Sequence, residues 1–193
     1  HMRVVPALLG WQDPGSAFSA AMQLAALAAV VSYFWRDVRQ VTTGSIGAVR
    51  RGDYNDQWFK LAVAIVLATI PIGIAGLALS STLNACNSPL RGLMVIGISC
   101  VVMAVLLAAA ELRARHTREV SQMRLRDALI VGVAQIGALI PGVSRSGSTL
   151  TAALFLNFKR EEAARFSFLL GLPAIALAGL KELWVLLHAD MPA

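Results

Sequence analysis

The stretch Pro141-Gly142-Val143-Ser144-Arg145-Ser146-Gly147-Ser148-Thr149 gathers side chains suited to holding an anion. Arg145 carries a permanent charge on a planar fork that matches phosphate oxygens. Gly142 and Gly147 permit backbone angles barred to other residues, which lets successive N–H groups converge on a negative centre. Ser144, Ser146, Ser148 and Thr149 add hydroxyl donors. The following run, TLTAALFL, is predicted to begin a short helix whose unpaired N–H groups and dipole also favour negative charge. In a soluble protein the same letters describe a surface turn with a solvated arginine and a serine cap, so the surroundings decide.

Those surroundings are apolar. LIVGVAQIGALI, residues 129–140, leads directly into the motif, and hydrophobic residues make up 57% of the 193-residue chain against 15% charged. With a mean hydropathy of +0.67, the composition is that of an integral membrane protein. An arginine at membrane depth is costly and marks a functional site. The net charge of +6 lies in short clusters between apolar segments, which sets orientation in a bilayer and gives no reason to expect nucleic acid. Cys86 and Cys100 offer neither metal spacing nor a disulfide framework. No cleavable leader is visible, and no linker divides the chain, so a single membrane domain over residues 1–193 is expected.

Four segments are long and apolar enough to cross: residues 17–35, 61–80, 93–110 and 166–187. Arg36, Arg39, Arg50, Arg51 and Lys60 fall in what reads as a loop after the first. Arg113, Arg115, Arg118, Arg124 and Arg126 follow the third, and Lys159, Arg160 and Arg165 precede the fourth. The positive-inside rule makes all three clusters cytoplasmic. Residues 128–158 must then leave and return on one side, and two crossings need about 40 helical residues. A re-entrant helix-loop-helix is predicted instead, its irregular tip enclosed by protein or lining a cavity.

Gln135 is placed to brace the tip or simply to pack, and Gln23 and Ser19 to bond between helices or line the site. Glu161, Glu162 and Arg165 read as ion pairs on one helix surface. His116 reads as a solvated loop residue. FSAAMQLAA (18–26) and FSFLLGLPA (166–174) share Phe, Ser, Leu and Ala at equal offsets on spans of opposite direction, a faint inverted repeat. The fold class is thus an all-α polytopic membrane protein, an inverted-repeat helical bundle.

PGVSRSGSTLTAALFLNFKREEAARFSFLLGLPA strongly resembles the second signature of the bacterial undecaprenyl-diphosphate phosphatases, or bacitracin-resistance proteins. AFSAAMQLAALAAVVSYFW and ATIP (68–71) resemble their earlier spans. The resemblance implies a multi-pass enzyme of the bacterial inner membrane. It would cleave undecaprenyl diphosphate to undecaprenyl phosphate and inorganic phosphate, recycling the lipid carrier of peptidoglycan synthesis and raising bacitracin resistance. It also implies that Arg145, Ser144, Ser146 and Thr149 serve catalysis, and that Gly142, Val143, Gly147, Ser148, Gln135 and Gln23 contact the substrate.

A first family signature, rich in Glu and ending in paired serines and a His, is expected just ahead of MRVVP. His1 would be its last residue, the acid/base or nucleophilic His, unless it is a cloning remnant. The carboxylates that would use Mg²⁺ or Ca²⁺ are expected upstream of residue 1, and further spans beyond 193. The implied partners are a polyprenyl diphosphate and membrane lipids, with a homodimer compatible. A polyprenyl-phosphate carrier or flippase without hydrolase activity stands as the alternative. The acid-phosphatase-like lipid phosphatases fit less well, since their downstream His–Asp pair and upstream Lys-Arg motif are not found.

Overall fold

The computed structural model describes the backbone of residues 15–79 and 92–188 and the side chains of residues 21, 22, 24–79, 92–177, 179 and 180. Every regular element among them is helical. The α-helices are α1 (Gly15–Tyr33), α2 (Trp35–Arg51), α3 (Gln57–Ala78), α4 (Leu93–Arg113), α5 (Leu125–Ile136), α6 (Arg145–Phe155) and α7 (Arg160–His188). Short 3-10 turns at Val120–Gln122 and Gly137–Leu139 flank α5.

α3 and α4 are long and apolar enough to cross a membrane, with mean hydropathies of 2.4 and 2.8 over their most apolar windows. Only 17% and 6% of those windows are buried, which is not how the core helix of a water-soluble protein behaves. Asp56 starts α3 by accepting from the N–H groups of Trp58 (2.8 Å) and Phe59 (3.3 Å). Pro71 lies inside α3 and Pro173 inside α7. Proline in a membrane helix is tolerated when neighbouring groups take up the released carbonyl.

The basic stretch after the first span differs from the sequence expectation. Residues 36–51 are not a loop but most of α2. Trp35, Ile46 and Val49 are exposed apolar residues on the same helix as Arg36, Arg39, Arg50 and Arg51, the make-up of a helix lying at an interface.

Packing divides the chain into two units. One runs to Trp35 and resumes at Leu172, so it holds α1 and the second part of α7. Within it a Cβ built on Gly179 would stand 3.4 Å from Leu24 Cδ2, ordinary contact between two apolar helices. The other unit, Arg36–Gly171, holds α2 to α6 and the first part of α7.

In the larger unit α3 crosses α5 where Ala68 meets Gly132. A Cβ on Gly132 would lie 2.5 Å from the Ala68 carbonyl oxygen, so only glycine allows this approach. Leu61, Ala64 and Ala68 bury one face of α3, and Ala128, Val131, Gly132 and Gln135 one face of α5. Small residues at a crossing bring backbones together, the main source of helix association where lipid removes the hydrophobic drive.

The two feet of the α5–α6 hairpin are fastened at one end. The N–H groups of Thr117 and Arg118 both donate to the Asn157 carbonyl at 3.0 Å, and Lys159 N–H donates to the Arg118 carbonyl at 2.9 Å. Asn157 turns the chain with φ +65°, and its side chain accepts from Arg115 N–H at 2.9 Å. Arg118 donates to the carbonyls of Leu156 and Gln122, pairs with Asp127 at 2.5 Å, and stacks 4.5 Å over the fully buried Phe158 ring. Val120 N–H donates to Glu162 at 3.2 Å, and Lys159 pairs with Glu119 at 2.6 Å.

Burial pushes the Asp127 carboxyl up, but the Arg118 guanidinium and the Arg124 N–H outweigh it and hold it below the usual carboxylate range. The ion pairs also depart from expectation. Arg165 reaches Asp37 of α2 instead of a glutamate on its own helix, and Arg160 pairs with Glu111 of α4. His116 is not a solvated loop residue: its Nε2 lies 3.6 Å from Glu111, and its Nδ1 is enclosed without a partner.

Candidate functional site

The motif 141–149 forms the far end of the hairpin and the first turn of α6. Ile140 N–H donates to the Gly137 carbonyl (3.0 Å) and Val143 N–H to the Ile140 carbonyl (3.1 Å), two tight turns that reverse the chain. Gly142 makes the reversal at φ +97°. A Cβ there would stand 2.6 Å from the Ile96 carbonyl oxygen of α4, so glycine is required both for the angle and for the space. The Gly142 carbonyl accepts from Cys100 Sγ at 3.4 Å. The tip is thereby seated on α4 and is not a free surface turn.

Ser144 caps α6: its Oγ accepts from Gly147 N–H at 3.1 Å, and its carbonyl from Ser148 N–H at 2.8 Å. Neither the Arg145 nor the Ser146 N–H has an acceptor among the described residues. The helix therefore presents two N–H donors beside its positive dipole end, the usual make-up of an anion seat. Ser146 Oγ lies 3.4 Å from Ser144 Oγ. Ser148 Oγ donates to the Arg145 carbonyl at 2.9 Å, and Thr149 Oγ1 lies 3.1 Å from the carbonyls of both Arg145 and Ser146. Thr149 is fully buried. Ser148 and Thr149 thus brace the first turn from behind, while Ser144 and Ser146 stand at its mouth.

Arg145 is half-buried, and among the described residues no carboxylate or other acceptor pairs with its guanidinium. Its plane runs past Gly171 of α7. A Cβ on Gly171 would meet Nη2 at 3.2 Å, Cζ at 3.6 Å and Nε at 3.8 Å. A side chain at 171 would occupy the guanidinium's path. Nothing in the sequence marked Gly171 as a site residue, because a glycine in an apolar helix looks the same whether it serves a crossing or an arginine.

Gln135 sits in the last turn of α5 and is wholly enclosed, with both amide atoms unpartnered. A buried primary amide without hydrogen bonds costs several kcal/mol by transfer, about 1–3 by protein measurements. Thr151 Oγ1 on α6 and Ser167 Oγ on α7 are likewise buried and unpartnered. The Gly147 position faces Ser144 Cβ at 3.0 Å and Met103 of α4 at 3.9 Å. Of the remaining expected site residues, Gln23 lies on α1 with its side chain outside the described residues, and His1 is outside them altogether. Among the described residues no three His, Cys, Asp or Glu side chains gather as a group able to hold a metal ion.

The described residues are thus helical, with two apolar helices of membrane length and, where α6 begins, an arginine without an acidic partner among them beside open N–H donors, features of an integral membrane protein with room for an anion. The chain belongs to the bacitracin resistance protein BacA family, whose model matches residues 1–192. It is similar to undecaprenyl-diphosphatase 2 of Mesorhizobium japonicum, at 74% identity over 192 residues covering 98% of this chain and 73% of the relative. It is also similar to the undecaprenyl-diphosphatase of Gloeobacter violaceus, 55% identical over 96% of this chain and 64% of the relative. A third relative, the undecaprenyl-diphosphatase of Synechococcus elongatus, is 53% identical over 99% of this chain and 67% of its own length. The chain thus spans about two-thirds to three-quarters of these relatives.

Proposed function

We propose that this protein hydrolyses undecaprenyl diphosphate, releasing inorganic phosphate and undecaprenyl phosphate. The observation that carries the reading is the half-buried Arg145 at the start of α6, unpaired among the described residues, alongside the open N–H groups of Arg145 and Ser146. A guanidinium held out of water without an acidic partner is poised for an anion that arrives from elsewhere. The names of the relatives supply which anion: a diphosphate on a long isoprenoid chain.

Phosphoryl transfer needs little covalent help from the protein and much charge stabilisation. Arg145 and the two N–H donors are suited to grip the departing phosphoryl oxygens as charge spreads over them, in a site of low dielectric where each donor counts for more than in water. Ser144 and Ser146 orient the same oxygens from the mouth. Thr149 acts as a positioning residue by holding the carbonyls of the turn. Gln135, enclosed and unbonded, supports a role beside the tip, where an amide that turns toward the phosphate would gain the hydrogen bonds it lacks.

The α5–α6 hairpin is read as re-entrant, with the motif at membrane depth. Three features support this: α5 has 12 residues and α6 has 11, each short of a crossing; its feet meet at Asn157 and Arg118; and its tip rests on the Ile96 backbone of α4. The bacterial inner membrane, a multi-pass topology, an inverted repeat and a homodimer complete the proposal. A divalent cation, Mg²⁺ or Ca²⁺, would supply Lewis-acid stabilisation of the diphosphate. The described residues offer it no ligand group, so no step is assigned to it.

The test is release of inorganic phosphate from undecaprenyl diphosphate by the whole protein in detergent, compared with the Arg145→Ala variant. Hydrolysis by the wild type that disappears in the variant supports the proposal. Wild-type protein that binds or moves the lipid with no phosphate released would establish a carrier instead.

A further inference from the structure

α2 and α3 form a wedge remote in sequence from the phosphate motif. Their junction is tight: a Cβ on Gly44 would lie 2.8 Å from Trp58 Cβ, and Ser45 Oγ donates to the Trp58 carbonyl at 3.1 Å. Beside that junction the helices part, leaving a groove of about 540 Å³. Its walls are Ile46 and Val49 from α2 and Phe59, Val63, Val66 and Leu67 from α3, with Arg50 and Ser45 also in the lining. Ile46, Val49 and Val66 are exposed, at 49%, 52% and 62%. This face of α3 is distinct from the Leu61–Ala64–Ala68 face that α5 covers.

The arginines of this unit differ in how their charge is met. Arg51 is paired with Asp56 at 3.8 Å and Arg165 with Asp37, whereas among the described residues no acidic group pairs with Arg50. An apolar trough running from Phe59 to Val66, about 10 Å on the usual helix rise per residue, would be uncovered in water. Such a trough, with Arg50 in its lining and no acidic partner to that arginine among the described residues, suits the two parts of one ligand: a hydrocarbon tail and an anionic head.

We propose that this wedge binds an anionic phospholipid, its phosphate on Arg50 and one acyl chain along Val49, Val63, Val66 and Leu67. Charge complementarity selects the occupant. A zwitterionic lipid would bring its own cation beside Arg50 and so gain less, and a soluble phosphate would leave the trough empty. The inference rests on α3 lying in a bilayer and not on hydrolysis, since Arg50 and the groove take no part in the proposed chemistry. Seated there, the lipid would fix α2 against α3 at the membrane surface.

The experiment is native mass spectrometry of the whole protein, released from micelles doped with equal amounts of dioleoyl phosphatidylglycerol and dioleoyl phosphatidylcholine. Expected is one retained phosphatidylglycerol, favoured at least fivefold over phosphatidylcholine. Arg50→Ala should remove that preference and Arg50→Lys keep most of it. Val66→Trp, which fills the trough from a lipid-facing position, should lose the retained lipid of either kind. Phosphate release by Arg50→Ala should stay at the wild-type level. Equal retention of the two lipids by the wild type, an unchanged preference in Arg50→Ala, or undiminished retention in Val66→Trp would each overturn the assignment. So would competition by glycerophosphoglycerol at concentrations matching the lipid, because a tail-less head would then suffice.

Discussion

Replacing Gly171 moves the candidate catalytic cation without altering any chemical group of the site. Its Cβ would stand 3.2 Å from Arg145 Nη2 and 3.6 Å from Cζ. Alanine therefore asks the guanidinium to yield by a few tenths of an ångström, which a flexible side chain can do. Leucine puts three further carbons in its path and displaces it by about 1 Å or more. Misplacing a catalytic group by that distance costs on the order of 10²-fold in rate, or about 2.7 kcal/mol of transition-state stabilisation at 1.36 kcal/mol per tenfold. Gly171→Ala should thus keep phosphate release within about threefold of wild type on the same scale, and Gly171→Leu should lose about a hundredfold.

The assay is initial phosphate release from undecaprenyl diphosphate across substrate concentrations, with a thermal melt to show that both variants fold. Steric displacement of a charge predicts a fall in kcat larger than the change in KM. It also predicts that Gly171→Leu adds no further loss in an Arg145→Ala background, because the two changes then act on one interaction. Full activity in Gly171→Leu, or a full second loss in the double variant, would refute the idea that α7 positions the arginine.

Other expectations can be checked with the same protein. Arg145→Ala should lower kcat by about 10²–10³, the usual effect of removing one oxyanion donor, yet leave the melting temperature unchanged or raised, because no partner charge is orphaned; a large drop in melting temperature would argue for a structural role. Gly132→Leu should destabilise by at least about 1–3 kcal/mol through overpacking, as its side chain collides with the Ala68 backbone, and a wild-type melt would contradict the crossing. Asp127 has a depressed pKa in the folded chain, so its contribution is present above its ordinary value of 3.8 and is lost as pH falls through the lower folded value. Asp127→Asn should accordingly flatten the acid limb of stability against pH, measured by thermal melts from about pH 6 downward. Gly142→Ala should weaken both folding and activity, since φ +97° and a 2.6 Å approach to Ile96 exclude a Cβ; an unaffected variant would show that the tip is not seated on α4.

What was legible in the sequence was whatever depends on neighbours along the chain. The apolar runs that become α3 and α4 declare themselves by hydropathy alone. Ser144 three residues before Gly147 is a local cap, readable from spacing. What depends on residues far apart was not readable. Arg118 looked like one basic loop residue among several, and only folding brings it to Asp127, to the Leu156 carbonyl and over Phe158. Gly171 carries no mark of its use until Arg145 is beside it. α2 was hidden for another reason: its arginines dominate a charge count, while Trp35, Ile46 and Val49 are too few to lift its hydropathy.

The stitching of residues 115–118 to Asn157 bears on how such a protein is made. On the proposed placement, nothing between those feet emerges on the far side of the bilayer. The insertion machinery would then never have to carry Arg145 across, only let a closed pair of short helices sink partway in. Biogenesis of this segment becomes a question of burial depth, with no translocation step, and the order in which the feet and the tip form decides whether the arginine ever meets bare lipid.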